Sequence, residues 1–517
     1  MNITQGLHRA VQQHPAAVAT VFGGRTRTHA ESMDRIGRLA DALHGLGVRA
    51  GDRTAMLSLN SDHYHEYIAA TLWAGGVVVP VNHRWSVTEI ADSLAEVSIG
   101  VLFVDHTFAA TARELATRCP TIEHVVYCDD EPAPEGWHGI ETLIAGHRPV
   151  EDVRRGGADL AAVFYTGGTT GRAKGVMLSH RNLLTSAYGS LASEHFLSPE
   201  GTYLHAAPMF HLADLAAWTA QVVRGGRHVM VPAFEPVAVL SAIQDHGVTD
   251  ILLVPTMIQA LVDHPRFGEF DVSGLRRVLY GASPMSEGVL NRALAALPDA
   301  EFTQLYGMTE LSPAATVLTP ADHAHPTRRR SAGRAAPHAE VRVVDPTDRE
   351  LSPGQVGEIV ARGEHVMLGY WNRPEETATA LRGGWMHTGD GGYLDADGYV
   401  YVSDRIKDMI ISGGENVYSV EVENVLTRHP LVTTCAVIGV PDEVWGERVH
   451  AVIVPSGDGA TTLTLEDVRA FCRDLIAAYK IPRSMEIVEL LPMSGAGKVL
   501  KRELRAPYWS DAARNVH

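Results

Sequence analysis

The sequence predicts a large α/β domain of layered sheets and helices over residues 1–403, closed by a smaller α+β unit over residues 409–517. Short β-rich runs recur along most of the chain, each followed by turn residues and then a helical pattern, which is the rhythm of strand and helix layers. Near Ser403 that rhythm stops, and two consecutive strand-like runs precede one amphipathic segment. The 517 residues, 45% of them hydrophobic, are too many for one ordinary domain and apolar enough for packed cores.

Taken in order, Thr28 and Glu31 form a Thr-x-x-Glu capping box. Met33, Ile36, Leu39, Leu43 and Leu46 then share one helical stripe that stops at Gly47, so an amphipathic helix is expected there. "AAVFY" (Ala161 to Tyr165), "DILLVP" (Asp250 to Pro255) and "RRVLYG" (Arg276 to Gly281) read as strands. "DHAHPTRRR" (Asp322 to Arg330) reads as an exposed loop. The run "DGYVYVSD" ends the large domain, with the join at 404–408. Beyond it, "TTCAVIGVP" and "RVHAVIVP" read as two strands. "LTLEDVRAFCRDLIAAYKIP" reads as a helix with Leu465, Val468, Phe471, Leu475 and Tyr479 inward and Pro482 after it.

Composition excludes several classes. A formal net charge of −17, from 44 basic and 61 acidic residues, argues against nucleic acid or an anionic membrane as the main partner and leaves a small molecule. Cys119, Cys128, Cys435 and Cys472 form no CxxC pair, so neither a zinc site nor a disulfide framework is signalled. The start "MNITQGLHRAVQQHP" lacks the apolar core of a signal peptide, and "AATLWAGGVVVPV" is too short and too broken to span a bilayer. A soluble, cytoplasmic protein is expected. The oligomeric state stays open, a homodimer included.

The densest chemical signal is "YTGGTTGRAKG" (Tyr165 to Gly175), a Gly-, Thr- and Lys-rich turn after a β-run. Such a turn can surround phosphates, because glycines admit backbone N–H groups, hydroxyls donate and a lysine adds charge. It is not a Walker A loop: Lys174 lies between Ala173 and Gly175, so no hydroxyl stands beside it for magnesium.

Four further segments follow in order: "LYGMTE" (Leu305 to Glu310), "HTGD" (His387 to Asp390), "YVSDRIKDMIISGGENVYSVEVE" (Tyr401 to Glu423) and "SGAGKVLKREL" (Ser494 to Leu504). Together with the first loop they resemble the adenylate-forming superfamily, specifically the acyl-CoA synthetases, over essentially the whole chain. The resemblance implies a small, mobile C-terminal domain and a use of ATP, Mg²⁺ and coenzyme A. It assigns phosphate gripping to Thr166, Gly167, Gly168, Thr169, Thr170, Gly171 and Lys174, and magnesium to Glu310. The adenine would meet Tyr306, Gly307 and Thr309 and the run Gly281, Ala282 and Ser283; the ribose hydroxyls would meet Asp390 and Arg405. Lys407 would be the hinge, Gly413 and Gly414 would line the coenzyme A tunnel, and Lys498 would be the catalytic lysine beside Thr166 and Glu310 in the catalytic set.

Two departures stand out: Gly168 occupies a position where a small hydroxyl is usual, and Ala173 one where proline is usual. The loss of one phosphate donor costs about 1–3 kcal/mol. The segment "APMFHLADLAAW", ending at Trp218, resembles the acyl-pocket lining and offers Phe210, His211 and Trp218 with no cation, which suggests an apolar monocarboxylate. His211 reads equally well as a satisfied core histidine. Fatty, aryl or arylalkenoic, and bulky polycyclic acids remain open in that order. Transfer to a carrier protein instead of coenzyme A, or performance of only one half-reaction, are the alternative enzyme readings; a degenerate binding protein is disfavoured because Glu310, Asp390, Arg405 and Lys498 are all present.

Overall fold

Thr28 caps the helix His29–Gly45: its hydroxyl accepts the Glu31 N–H while the Glu31 carboxylate takes the Thr28 N–H. Ile36, Leu39 and Leu43 are fully covered, and Met33 and Leu46 pack partly buried against the same core. The computed structural model describes residues 1–166, 173–283, 285–405, 408–412, 415–442, 445–457, 463–473, 475–494 and 499–509, without the side chains of 404, 405, 411, 415 and 416.

The chain forms a large α/β part and a smaller C-terminal part. The first compact unit comprises Met1–Gly281, Leu297–Val341 and Ala361–Met386 and holds two sheets. In the nine-stranded sheet, Val18–Phe22, Arg227–Met230, Thr202–His205, Asp250–Leu253, Arg277–Gly281 and Glu301–Gly307 run parallel, and antiparallel strands close both edges. In the eight-stranded sheet, Leu160–Thr166 joins the parallel strand Val77–Pro80 to the antiparallel Lys174–Ser179. The short strand Gly369–Tyr370 completes that edge.

The helix Asp62–Trp73 is buried along its whole length although it carries Asp62, His63, His65 and Glu66. Charges so enclosed persist only with partners. Arg25 donates to Asp62 at 2.7 Å, and Arg35 donates to Glu66 and Glu141 at 2.6 Å each. In the segment Asp322 to Arg330, Ala324 to Thr327 and Arg330 are exposed as the sequence predicts, and only its first two residues depart from an exposed loop. Asp322 and His323 are buried in the short helix Pro320–His323, because His323 pairs with the Tyr280 hydroxyl at 2.8 Å and Asp322 caps Thr319.

The second compact unit gathers Ala282–Ala296, Arg342–Val360 and His387–His517. It holds most of a sheet ordered Glu340–Val344, Gly357–Arg362, Met386–Leu394, Val400–Arg405. It also holds the long antiparallel pair Val432–Asp442 and Gly446–Pro455, on which Ser484–Ile487 lies parallel. The helix here is shorter than its pattern suggests. It runs Leu465–Cys472, so Val468 and Cys472 enter the core, Leu465 and Phe471 are half-buried, and Leu475, beyond its end, is 40% exposed. Tyr479 sits half-buried in a separate turn, Ala478–Lys480.

Candidate active site

The stem of the glycine-rich loop is an antiparallel ladder. Thr166 ends one strand and faces Lys174 at the start of the next, with Tyr165 opposite Gly175. Space is tight at Gly175, where a Cβ would lie 3.0 Å from Val163, 3.2 Å from Tyr165 and 3.3 Å from Trp371. The Tyr165 hydroxyl donates to Glu96 at 2.9 Å.

Lys174 is held on two sides. Its ammonium lies 2.5 Å from a Glu376 carboxylate oxygen and 5.0 Å from the centre of the Tyr370 ring. The hydrogen bond from Lys174 draws the Glu376 carboxyl below its ordinary range. The Tyr370 hydroxyl in turn donates to Glu310 at 2.8 Å. Burial first, and then the Glu310 charge, push that phenol upward, so it stays a donor.

Glu310 is 6% exposed and sits in the turn Thr309–Leu311, whose backbone is tied down by the Met367 N–H bonding to the Glu310 carbonyl at 2.9 Å. Tyr306 and Gly307 end the adjoining strand Glu301–Gly307, with Tyr306 half-buried opposite Thr316. A side chain at Gly307 would meet the Pro313 carbonyl at 2.0 Å, and one at Gly281 the Leu305 carbonyl at 2.3 Å. Both glycines therefore permit close backbone approach.

Phe210 is buried with its ring edge-on to His83 at 4.9 Å, and His83 packs on Phe108 at 5.1 Å. Burial, aided by Arg84, lowers His83 to about 4, which makes it a neutral aromatic member of an apolar cluster. His211 caps the helix Leu212–Arg224, its Nδ1 accepting the Ala213 N–H at 3.3 Å. The proton of the neutral ring is then on Nε2. Trp218 is taken up by the core: it is 1% exposed and its indole N–H donates to His65 at 2.9 Å. It belongs to the same buried core cluster as Phe210.

In the second unit, Asp390 and Arg405 are direct register partners on neighbouring antiparallel strands. The preceding turn is built to hold Asp390: its N–H bonds to the Thr388 hydroxyl at 3.1 Å, and that hydroxyl donates to the Ile359 carbonyl at 2.6 Å. Gly389, at φ +73°, gives its N–H to Glu358 at 3.0 Å, and His387 contacts the same carboxylate at 2.9 Å. Ala282, at φ +67°, and Ser283 are half-buried.

Gly167, Gly168, Thr169, Thr170, Gly171, Lys407, Gly413, Gly414 and Lys498 lie outside the described residues. The structure adds Tyr370 and Glu376, which the sequence reading did not single out. Pro374 followed by Glu375 and Glu376 is a legible helix start, but no spacing rule aims Glu376 at a lysine so far upstream.

Residues 7–371 match the family described as AMP-binding enzyme, and residues 421–498 match the AMP-binding enzyme C-terminal domain. The chain is 42% identical to a feruloyl-CoA synthase from Amycolatopsis sp over 507 residues, covering 96% of this chain and 97% of that one. It is 36% identical to a fatty acid–[acyl-carrier-protein] ligase from Streptomyces coeruleorubidus, covering 98% of this chain and 96% of that one. Among solved structures, an anthranilate CoA ligase in complex with anthranoyl-AMP superposes with a TM-score of 0.92 at 26% identity, over 99% of this chain and 98% of that one.

Proposed function

Because this chain belongs to the AMP-binding enzyme family and is an AMP-forming acid–thiol ligase, we propose that it activates an apolar, aryl-bearing monocarboxylic acid with ATP and passes the acyl group to coenzyme A. In the first step a carboxylate oxygen attacks the α-phosphorus. The bond to the β-phosphate oxygen breaks, and pyrophosphate leaves with the electron pair. In the second, the coenzyme A sulfur attacks the acyl carbon of acyl-AMP, its proton passes to solvent, and AMP leaves with the oxygen that came from the acid. A thiol of pKa about 8.5 attacks such an anhydride without a protein nucleophile.

The observation that carries this reading is the Lys174, Tyr370 and Glu310 constellation: a cation beside the loop stem and a buried carboxylate, linked by one phenol. Charge neutralisation is what phosphoryl chemistry asks of a protein. A carboxylate oxygen is the hard donor magnesium takes, and Glu310, its other oxygen oriented by Tyr370, fits that role. When bound there, the ion would neutralise phosphate charge. Thr166 and Lys174 grip the triphosphate, Tyr306 stacks on adenine, and Asp390 with Arg405 holds the ribose. Lys498 reaches the carboxylate and α-phosphate, after which rotation about Lys407 withdraws it and brings Gly413 and Gly414 to the thiol arm. The aromatic group Phe210, His83 and Phe108 and the likeness to feruloyl-CoA synthase support the aryl acid.

An acid labelled with ¹⁸O in its carboxylate tests this path, because the mechanism leaves one labelled oxygen in AMP. Unlabelled AMP contradicts it. The likeness to a carrier-protein ligase favours one second reading, delivery to a phosphopantetheinyl protein. Competition between coenzyme A and such a carrier separates the two acceptors.

A further inference from the structure

Three of the residues around the loop stem are fixed by one stretch of backbone. The Leu368 N–H bonds to the Met177 carbonyl at 2.9 Å and the Trp371 N–H to the Gly175 carbonyl at 2.7 Å, so Tyr370 is locked beside the strand that begins with Lys174. The Tyr370 N–H then bonds to the Thr377 hydroxyl at 2.9 Å, which ties this edge to the helix Pro374–Ala380 and sets Glu376 in its first turn. Gly369 makes the approach feasible: it has φ +143°, and a Cβ there would lie 2.6 Å from Thr377.

On that frame the charges form a chain. Glu96 faces Arg373 at 3.5 Å, Arg373 faces Glu376 at 3.1 Å, and Glu376 faces Lys174 at 2.5 Å. Lys174 lies over Tyr370, and Tyr370 donates to Glu310. Glu376 keeps Arg373 when it gives up Lys174, so releasing the lysine leaves no carboxylate stranded. Both ends of the Lys174 pair also reach solvent, at 21% and 39% exposure, so the pair is weak enough to exchange.

We propose that Tyr370 and Glu376 are positioning residues for adenylation: Glu376 holds the Lys174 ammonium in place of a phosphate oxygen until nucleotide arrives, and Tyr370 ties that lysine to the Glu310 carboxylate. The inference rests on the proposed function for the identity of the arriving group. It makes Glu376 a competitor of the triphosphate, so its removal strengthens nucleotide binding, whereas a merely structural acid would weaken it or do nothing.

ATP binding to the full chain, measured by calorimetry in EDTA, reads this without turnover. Glu376→Gln is expected to bind ATP roughly two- to fivefold tighter, the size of one exposed ion pair, and Glu376→Asp to return towards wild type. Tyr370→Phe keeps the ring over Lys174 and removes the hydroxyl from Glu310. ATP affinity in EDTA should hold, while the Mg²⁺ concentration that half-saturates its enhancement of ATP binding should rise roughly tenfold, as for loss of a group that orients a metal ligand. Unchanged or weaker ATP binding by folded Glu376→Gln, or an unmoved magnesium dependence in Tyr370→Phe, overturns the proposal. Failure of every acid to give acyl-AMP would contradict the proposed function alone, since these shifts are read from binding.

Discussion

Replacing Glu310 by glutamine removes one charge at nearly constant volume. The residue is 6% exposed and accepts from Tyr370 at 2.8 Å. A hydrogen bond to a charged acceptor contributes about 1.5–3 kcal/mol and a neutral one about 0.5–1.5, so that contact weakens by about 1 kcal/mol. Loss of one preorganised stabiliser of phosphoryl charge costs about 3 kcal/mol more. Together these slow acyl-AMP formation roughly a hundred- to a thousandfold. Conversion of preformed acyl-AMP with coenzyme A releases no pyrophosphate and should change only a few-fold. Acid-dependent exchange of pyrophosphate into ATP reads the first step, and thioester release from a synthetic adenylate reads the second. Equal losses in both, or none in either, would refute the assignment of Glu310.

Lys498→Ala should likewise cut acyl-AMP formation by orders of magnitude while sparing thioester formation from preformed acyl-AMP; the same two assays check it, and parallel losses contradict it. Gly168→Ser should gain less than about a hundredfold in adenylation rate, because one restored donor contributes at most about 1–3 kcal/mol; a larger gain in pyrophosphate exchange would show that the native loop is crippled. Acid should destabilise the fold through its neutral histidines. Burial, then His205, lowers His65 to about 3, burial with Arg84 lowers His83 to about 4, and burial with His338 lowers His365 to about 3. Between about pH 6.5 and pH 4 the unfolded chain binds protons that the folded chain refuses, so stability falls as pH falls, by on the order of a few kcal/mol per fully buried ring. Melting temperature against pH should show the slope and His65→Gln should shallow it; a flat wild-type profile would contradict the burial argument.

Local chemistry was legible in the sequence wherever spacing alone determines it. The Thr28 and Glu31 box needs only a three-residue interval, and the strands at Ala161, Asp250 and Arg277 follow from short β-rich runs bounded by turns. Contacts that depend on tertiary packing between distant elements were not legible. Tyr370 meets Glu310 across 60 residues, and Trp218 gives its indole proton to His65 across 153. No periodicity marks either pair. The amphipathic pattern through Leu475 overran the helix Leu465–Cys472 because apolar spacing persists past its end, where Leu475 is 40% exposed. Asp322 and His323 read as surface residues in the sequence because polarity says nothing of a partner hydroxyl on Tyr280.

The most direct test of the two-step ligase account is mass spectrometry of a panel of aryl, fatty and polycyclic acids with MgATP, with and without coenzyme A, beside matching preformed adenylates. The account predicts acyl-AMP from a free aryl acid when coenzyme A is absent, and acyl-CoA with AMP when it is present. Conversion of the preformed adenylates alone, with the matching free acids inert, would contradict it.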